Sequence, residues 1–210
     1  MNESIAKSHP ILFDLDKSLE ELLRHEKFGL PENLRGTTIS FDTPGPQFLS
    51  DTPPDINFFL YDIREDRDLR SNQWVIGRNV EGKPERRRAP IQIACSYMVT
   101  VWPKEGTRES VRVEHELLSE VLIVLLRSQV LPEETLQGAL KNQDVPLPTS
   151  ALQSGRIESW GEFWRAVGGR PKAALHYTVT ISVDVLEPVE AGPPVLETEL
   201  RFRISKRINE

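Results

Sequence analysis

Ile91-Gln92-Ile93-Ala94-Cys95-Ser96-Tyr97-Met98-Val99-Thr100-Val101-Trp102 is the stretch that decides the fold. Ile91, Ile93, Cys95, Tyr97, Val99 and Val101 alternate with smaller or more polar residues. A period of two puts successive side chains on opposite faces of a strand, so one row here is written for a core. Pro103 stops the run, because proline cannot donate to a β-ladder. A strand of this length needs partners, and two other segments fit. Ile56-Asn57-Phe58-Phe59-Leu60-Tyr61-Asp62-Ile63 is apolar on both faces, as a covered, central strand is. Leu175, Tyr177, Val179, Ile181, Val183 and Val185 alternate over residues 175–185. A shorter strand is expected at residues 37–41.

Helical periodicity marks the covering layer. Ile11, Leu12, Leu15, Leu19, Leu22 and Leu23 share one face of residues 11–28, opposite Asp16, Lys17, Glu20, Glu21 and Arg24. Acids early and cations late suit the helix dipole, with Gly29 and Pro31 as the stop. Residues 113–128 carry Leu117, Leu118, Val121, Leu122, Val124, Leu125 and Leu126. That apolar surface is wide enough for a helix held between a sheet and a second body, such as a neighbouring subunit. A third helix opens at Ser159-x-x-Glu162, a capping box, and carries Trp160, Phe163, Trp164 and Val167 to Gly168 and Gly169. A short helical piece is expected at residues 133–140 and extended chain at 145–148. The fold class is therefore α/β in the α+β sense: a mixed, largely antiparallel sheet packed by about three helices.

The remaining segments read as connections. Residues 42–54 hold four prolines and a glycine and form a loop. Residues 71–89 are a polar excursion around Trp74, Val75 and Ile76. Within it Arg86, Arg87 and Arg88, flanked by Pro84 and Pro90, read as a solvated turn, with contact to an acidic face of a protein partner as the functional version. Residues 187–194 contain three prolines and read as a linker. Beyond it Leu196, Leu200, Phe202 and Ile204 alternate with Glu197, Glu199, Arg201 and Arg203 as an amphipathic strand. A lone strand needs a sheet. It either closes on its own sheet or adds to a neighbour's edge. The expected organisation is an N-terminal tail over 1–10, one α/β domain over 11–186, and a linker with a C-terminal β arm over 187–210.

Charge and composition narrow the function. The 210 residues carry a net charge of -6, so nucleic acid, which requires a concentrated basic face, is not an expected partner. Cys95 is the single cysteine and cannot build a disulfide within the chain; its apolar surroundings read as packing. No apolar run approaches the roughly 18 residues that a membrane span requires, and the N-terminus has no signal-like segment. A soluble protein made in the cytoplasm is expected. His9, His25, His115 and His176 lack metal-ligand spacing, and no nucleophile elbow, phosphate-binding loop or dinucleotide fingerprint occurs. No catalytic, metal-binding or cofactor-binding residue is expected, and no cofactor.

The order of motifs resembles the cap, or tail-terminator, family of extracellular contractile injection systems, phage-tail-like particles of the antifeeding-prophage and virulence-cassette type. The resemblance runs through Ile11-Leu12-Phe13-Asp14-Leu15-Asp16-Lys17-Ser18-Leu19-Glu20-Glu21-Leu22-Leu23, then Pro54-Asp55-Ile56-Asn57-Phe58-Phe59-Leu60-Tyr61-Asp62-Ile63-Arg64-Glu65. It continues through the strand at 93–100, Glu116-Leu117-Leu118, Val130-Leu131-Pro132, Glu162-Phe163-Trp164-Arg165-Ala166-Val167, Arg170-Pro171 and the strand bearing Tyr177. It implies a bacterial structural protein, a homohexameric ring on the last layer of the inner tube that binds the last sheath ring and fixes particle length. Self, sheath protein and inner tube protein are the partners it implies, without membrane insertion. Competing readings are a baseplate or connector adaptor, a regulatory binding module, and a small enzyme whose site would be a deep polar pocket with a perturbed carboxylate or histidine. Arg86, Arg87, Arg88, Leu196, Leu200, Phe202 and Ile204 are the expected interface residues.

Overall fold

The computed structural model describes residues 10–45, 48, 55–71, 73–78, 83–104, 108–143, 145–152, 157, 159–168 and 171–191. Its spine is a five-stranded sheet with strand order β1-β2-β5-β7-β6. The strands are β1 (Ile39–Ser40), β2 (Ile56–Glu65), β5 (Ile91–Val101), β6 (Thr149–Ala151) and β7 (Leu175–Val183). Between β2 and β5 the chain makes β3 (Trp74–Arg78) and β4 (Pro84–Arg88), which join β8 (Val189–Glu190) in a second sheet of order β3-β4-β8. The described helices are α1 (Ile11–Arg24), α2 (Ser110–Arg127) and α3 (Trp160–Ala166). The expected mixed, largely antiparallel sheet is present, with β1–β2 its parallel pair.

Register explains why the odd row of β5 had to be apolar. Ile56 pairs with Val101 and Phe58 with Val99 on one side, while Cys95 pairs with Val179 and Tyr97 with Tyr177 on the other. All these side chains enter one core under α1 and α2, with Leu15, Leu19, Leu22, Leu23, Val121 and Leu125 buried against them. Each fully buried aliphatic side chain contributes about 1.5–3 kcal/mol of transfer free energy. A bulge between Leu60 and Asp62 shifts β2, so Ile63 comes opposite Cys95 while its side chain stays 48% exposed beyond the edge of the core.

On the second face Met98, Trp102, Trp164 and Phe48 form a smaller aromatic core. The capping box places α3 there: Ser159 Oγ accepts from the Glu162 amide at 3.3 Å. Gly168 ends the segment at φ 68°, the left-handed backbone expected of a helix-stop glycine.

Boundaries depart from the sequence reading for local reasons. Helix α1 ends at Arg24 rather than near residue 28, because the chain folds back sharply. The Leu30 amide donates to the Leu23 carbonyl at 2.8 Å, and a Cβ on Gly29 would lie 2.4 Å from that same oxygen. In place of the continuous helix expected at 133–140 there are two 3-10 turns, Glu133–Thr135 and Gly138–Asn142, since Gly138 takes φ +54°. The expected strand at 37–41 shortens to β1, and β6 was not anticipated.

The turn at Gly138 is bolted to α1. Ser18 Oγ donates to the Asp14 carbonyl at 2.7 Å and accepts the Gln137 amide at 2.9 Å, and Asp14 Oδ2 accepts the Ala139 amide at 2.9 Å. A Cβ on Gly138 would stand 2.2 Å from the Asp14 carboxyl carbon. Gly138→Ala is expected to destabilise the chain by about 1–3 kcal/mol in urea unfolding, through left-handed strain and loss of this bolt. Gly36→Ala, where nothing lies within 4 Å, is the matched control and should stay within about 0.5 kcal/mol.

Candidate protein–protein interface

The second sheet is built differently from the first. Every residue of β3 is exposed, and among the described residues no strand pairs with its outer edge. Trp74 pairs with Arg88 and Ile76 with Arg86, so Trp74, Ile76, Arg78, Arg86 and Arg88 share one face. The Arg86 and Arg88 guanidinium carbons lie 4.9 and 5.2 Å from the centre of the Trp74 ring, two cation–π contacts across the hairpin. Ile76 beside it is 77% exposed. Arg86, Arg87 and Arg88 are thus strand residues, not the solvated turn read from their flanking prolines. Pro84 occupies the first position of β4, where a missing ladder donor is tolerated. Within the proline-rich stretch at 187–194, Val189–Glu190 pairs with Arg86 and Glu85. Leu196, Leu200, Phe202 and Ile204 lie outside the described residues.

Helix α2 offers a second surface. Its inner residues Leu118, Val121, Val124 and Leu125 are buried, while Val111 (62% exposed), Val113, Ile123 and Leu126 face outward. This is the wide apolar surface anticipated from the sequence, with one side left uncovered among the described residues. The amino-terminal half of α2 and Asn33, Leu34, Thr37 and Asp55 border a shallow groove of about 1130 Å³. Its charged rim is Glu109, Glu116 and Glu120, with Arg112 reaching Glu116 at 2.9 Å and Glu109 at 3.5 Å. Glu114 turns inward instead and pairs with Lys172, whose ammonium also sits 4.8 Å from the Trp102 ring centre.

The two tryptophans of α3 separate. Trp164 is 2% exposed in the aromatic core, whereas Trp160 is 37% exposed and packs at the edge, 4.9 Å from the His176 ring. His176 Nδ1 lies 3.0 Å from the Tyr61 hydroxyl, and burial pushes its pKa down, which favours the neutral ring. Beside it the second face of the sheet is a polar groove of about 910 Å³ lined by Ser96, Ser150, Thr178, Thr180 and the charged end of β2. Cys95 is buried, its thiol pushed up to about 12 mainly by desolvation and secondarily by Asp16, so it packs rather than reacts. Among the described residues no group of three or more His, Cys, Asp or Glu could hold a metal ion. No described helix is long and apolar enough to cross a membrane.

A mixed sheet with a large core on one face and a smaller one on the other, and, among the described residues, an exposed hairpin and an open side of α2, defines a domain whose distinctive surfaces are suited to contact other chains. The chain belongs to the Pvc16 N-terminal domain family, whose sequence profile matches residues 14–197. The resemblance read from the motif order is therefore borne out. The fold is similar to the PVC sheath/tube terminator of an extracellular contractile injection system in its extended state, at 24% identity and TM-score 0.62 over 97% of this chain and 67% of that one. It is also similar to the anti-feeding prophage tube-terminating cap, at 22% identity and TM-score 0.57 over 90% of this chain and 61% of the other. The chain thus spans about two thirds of the length of these structures. A comparison with curated proteins finds no match.

One half-buried titratable pair underlies α1. The Tyr97 hydroxyl donates to Asp16 Oδ1 at 2.8 Å, and burial nevertheless raises the Asp16 carboxyl above its ordinary value, with that hydrogen bond as a partial offset. A carboxyl with a raised folded-state pKa binds its proton more tightly in the native chain. Its contribution to stability is present below the ordinary carboxylate pKa and is lost as pH rises through the folded value. Asp16→Asn keeps an acceptor for Tyr97 and cannot ionise. Its stability should lose that acid-side slope, measured as unfolding free energy between pH 4 and 7 against the unsubstituted chain.

Proposed function

We propose that this chain is a structural, non-enzymatic subunit of a contractile injection particle, closing the end of the inner tube and sheath and ending their polymerisation. The observation that carries this reading is the fold, matched over 97% of the chain to a sheath/tube terminator. The surfaces support it. A terminator must complement the last layer of a repeating polymer without offering a fresh copy of that layer, and this demands shape and bare edges rather than reactive groups. The particle is of the extracellular, phage-tail-like kind, and the chain works there as a homohexameric ring in contact with sheath and tube proteins. It binds no nucleic acid, does not insert in a membrane, and uses no cofactor.

Within this reading the domain over residues 11–186 forms the ring body, and 187–210 forms the linker, which lends β8 to the second sheet, and the arm. Leu196, Leu200, Phe202 and Ile204 of the arm add as a strand to a neighbour's exposed edge, with backbone hydrogen bonds each contributing about 1 kcal/mol net. Arg86, Arg87 and Arg88 contribute the cationic side of a second contact.

Tube and sheath proteins assembled with and without the chain test the proposal. The full chain is expected to shorten and narrow the length distribution seen by electron microscopy, with ring density at one tube end. A chain ending at Ala191, which keeps β8, is expected to hold its fold but to cap sheathed tubes poorly. Length distributions unmoved by the full chain would contradict capping. Unfolding of the shortened chain would assign the arm to the domain's own core.

A further inference from the structure

A closed ring made of one kind of chain, if its contacts are head-to-tail, needs two unlike surfaces that fit each other and cannot meet within one copy. Two such surfaces lie at opposite ends of the main sheet. The hairpin β3–β4 is inserted where Glu65 pairs with Ile93 and Ile91 with Val183. The α2 groove lies at the other end, where Ile56 pairs with Val101 and Asp55 borders the groove. Strand β5 spans the distance, about 35 Å for its extended residues.

Their chemistry is complementary. The hairpin face presents Trp74 and Ile76 between Arg78, Arg86 and Arg88. The groove presents Val111 and Val113 among Asp55, Glu109, Glu116 and Glu120, with Arg112 the one guanidinium among its described lining residues. Apolar centres match, and a cationic rim meets an acidic one. Aromatic and arginine side chains at the centre of a patch are the groups that anchor interfaces. Like charges keep two hairpins, or two grooves, from pairing with themselves, which selects the head-to-tail arrangement.

We propose that the Trp74–Ile76–arginine face of the β3–β4 hairpin docks in the α2 groove of the next copy of this chain, and that repetition of this contact builds the ring. The inference rests on the ring-forming reading above and specifies its contact.

Charge reversal tests it. One variant carries Arg78→Glu and Arg88→Glu, a second carries Glu116→Arg and Glu120→Arg, and all four positions lie on the surface described. Sedimentation velocity at low salt, with thermal unfolding as the check on folding, reads the result. Each variant alone should lose self-association by about tenfold or more relative to the unsubstituted chain. An equal mixture of the two should recover it, since each reversed surface then finds its complement on the other variant. Ile76→Ser, at a position 77% exposed, should weaken association without touching charge or core. Association of either folded variant at unsubstituted strength, failure of the mixture to recover, or a chain that stays monomeric at every concentration would each overturn the contact. The tube-length assay is independent: an effect on length with no effect of charge reversal leaves capping standing and removes only this contact.

Discussion

Everything in the molecule hangs on the pairing of β5 with β2 and β7. Those two ladders bring the odd row of β5 between Phe58 on one side and Val179 and Tyr177 on the other. The row has no freedom to slip, because a shift of one residue would turn Cys95, Tyr97, Val99 and Val101 out of the core and bring Ser96, Met98 and Thr100 in. With register fixed, both ends of the sheet are fixed too. The hairpin is held beyond one end and the amino-terminal half of α2 beside the other. A rigid central strand thus acts as the spacer between the two surfaces that carry the proposed function.

The spine was legible in the sequence because its periodicity is strong. β5 and β7 alternate over their length, and α1 and α2 repeat leucines at helical spacing. The capping box at Ser159 located the start of α3, because a cap is a local device that needs no tertiary context. The single cysteine read correctly as packing, since Cys95 sits in the most apolar row of the chain. The family resemblance rested on the order of these same pieces.

What was not legible lacks a core to write a pattern. β3 buries none of its residues, so nothing imposes alternation on Trp74, Val75 and Ile76, and its polar neighbours made the segment look like a loop. Arg86, Arg87 and Arg88 were misplaced because what makes them a strand is pairing with β3 and with the distant β8, reinforced by the contact of Arg86 and Arg88 with Trp74, none of which sequence spacing displays. β6 has three residues, too few for any period. The left-handed Gly138 was hidden as well, because its cause is the Asp14 carboxyl 124 positions earlier in the chain. Surface elements of this sort are specified by contacts made across the fold and, in an assembling protein, by contacts made with other chains.

In the proposed assembly the two ends of the sheet are the contacting surfaces and the spine between them is inert scaffold. Hydrogen exchange compared between the dilute chain and the assembled chain tests this most directly. New protection is expected in residues 74–78 and 84–88 and in the first turns of α2, with the amides of β5 equally slow in both states. Protection confined to the polar second face of the sheet, with the hairpin and α2 unchanged on assembly, would contradict it.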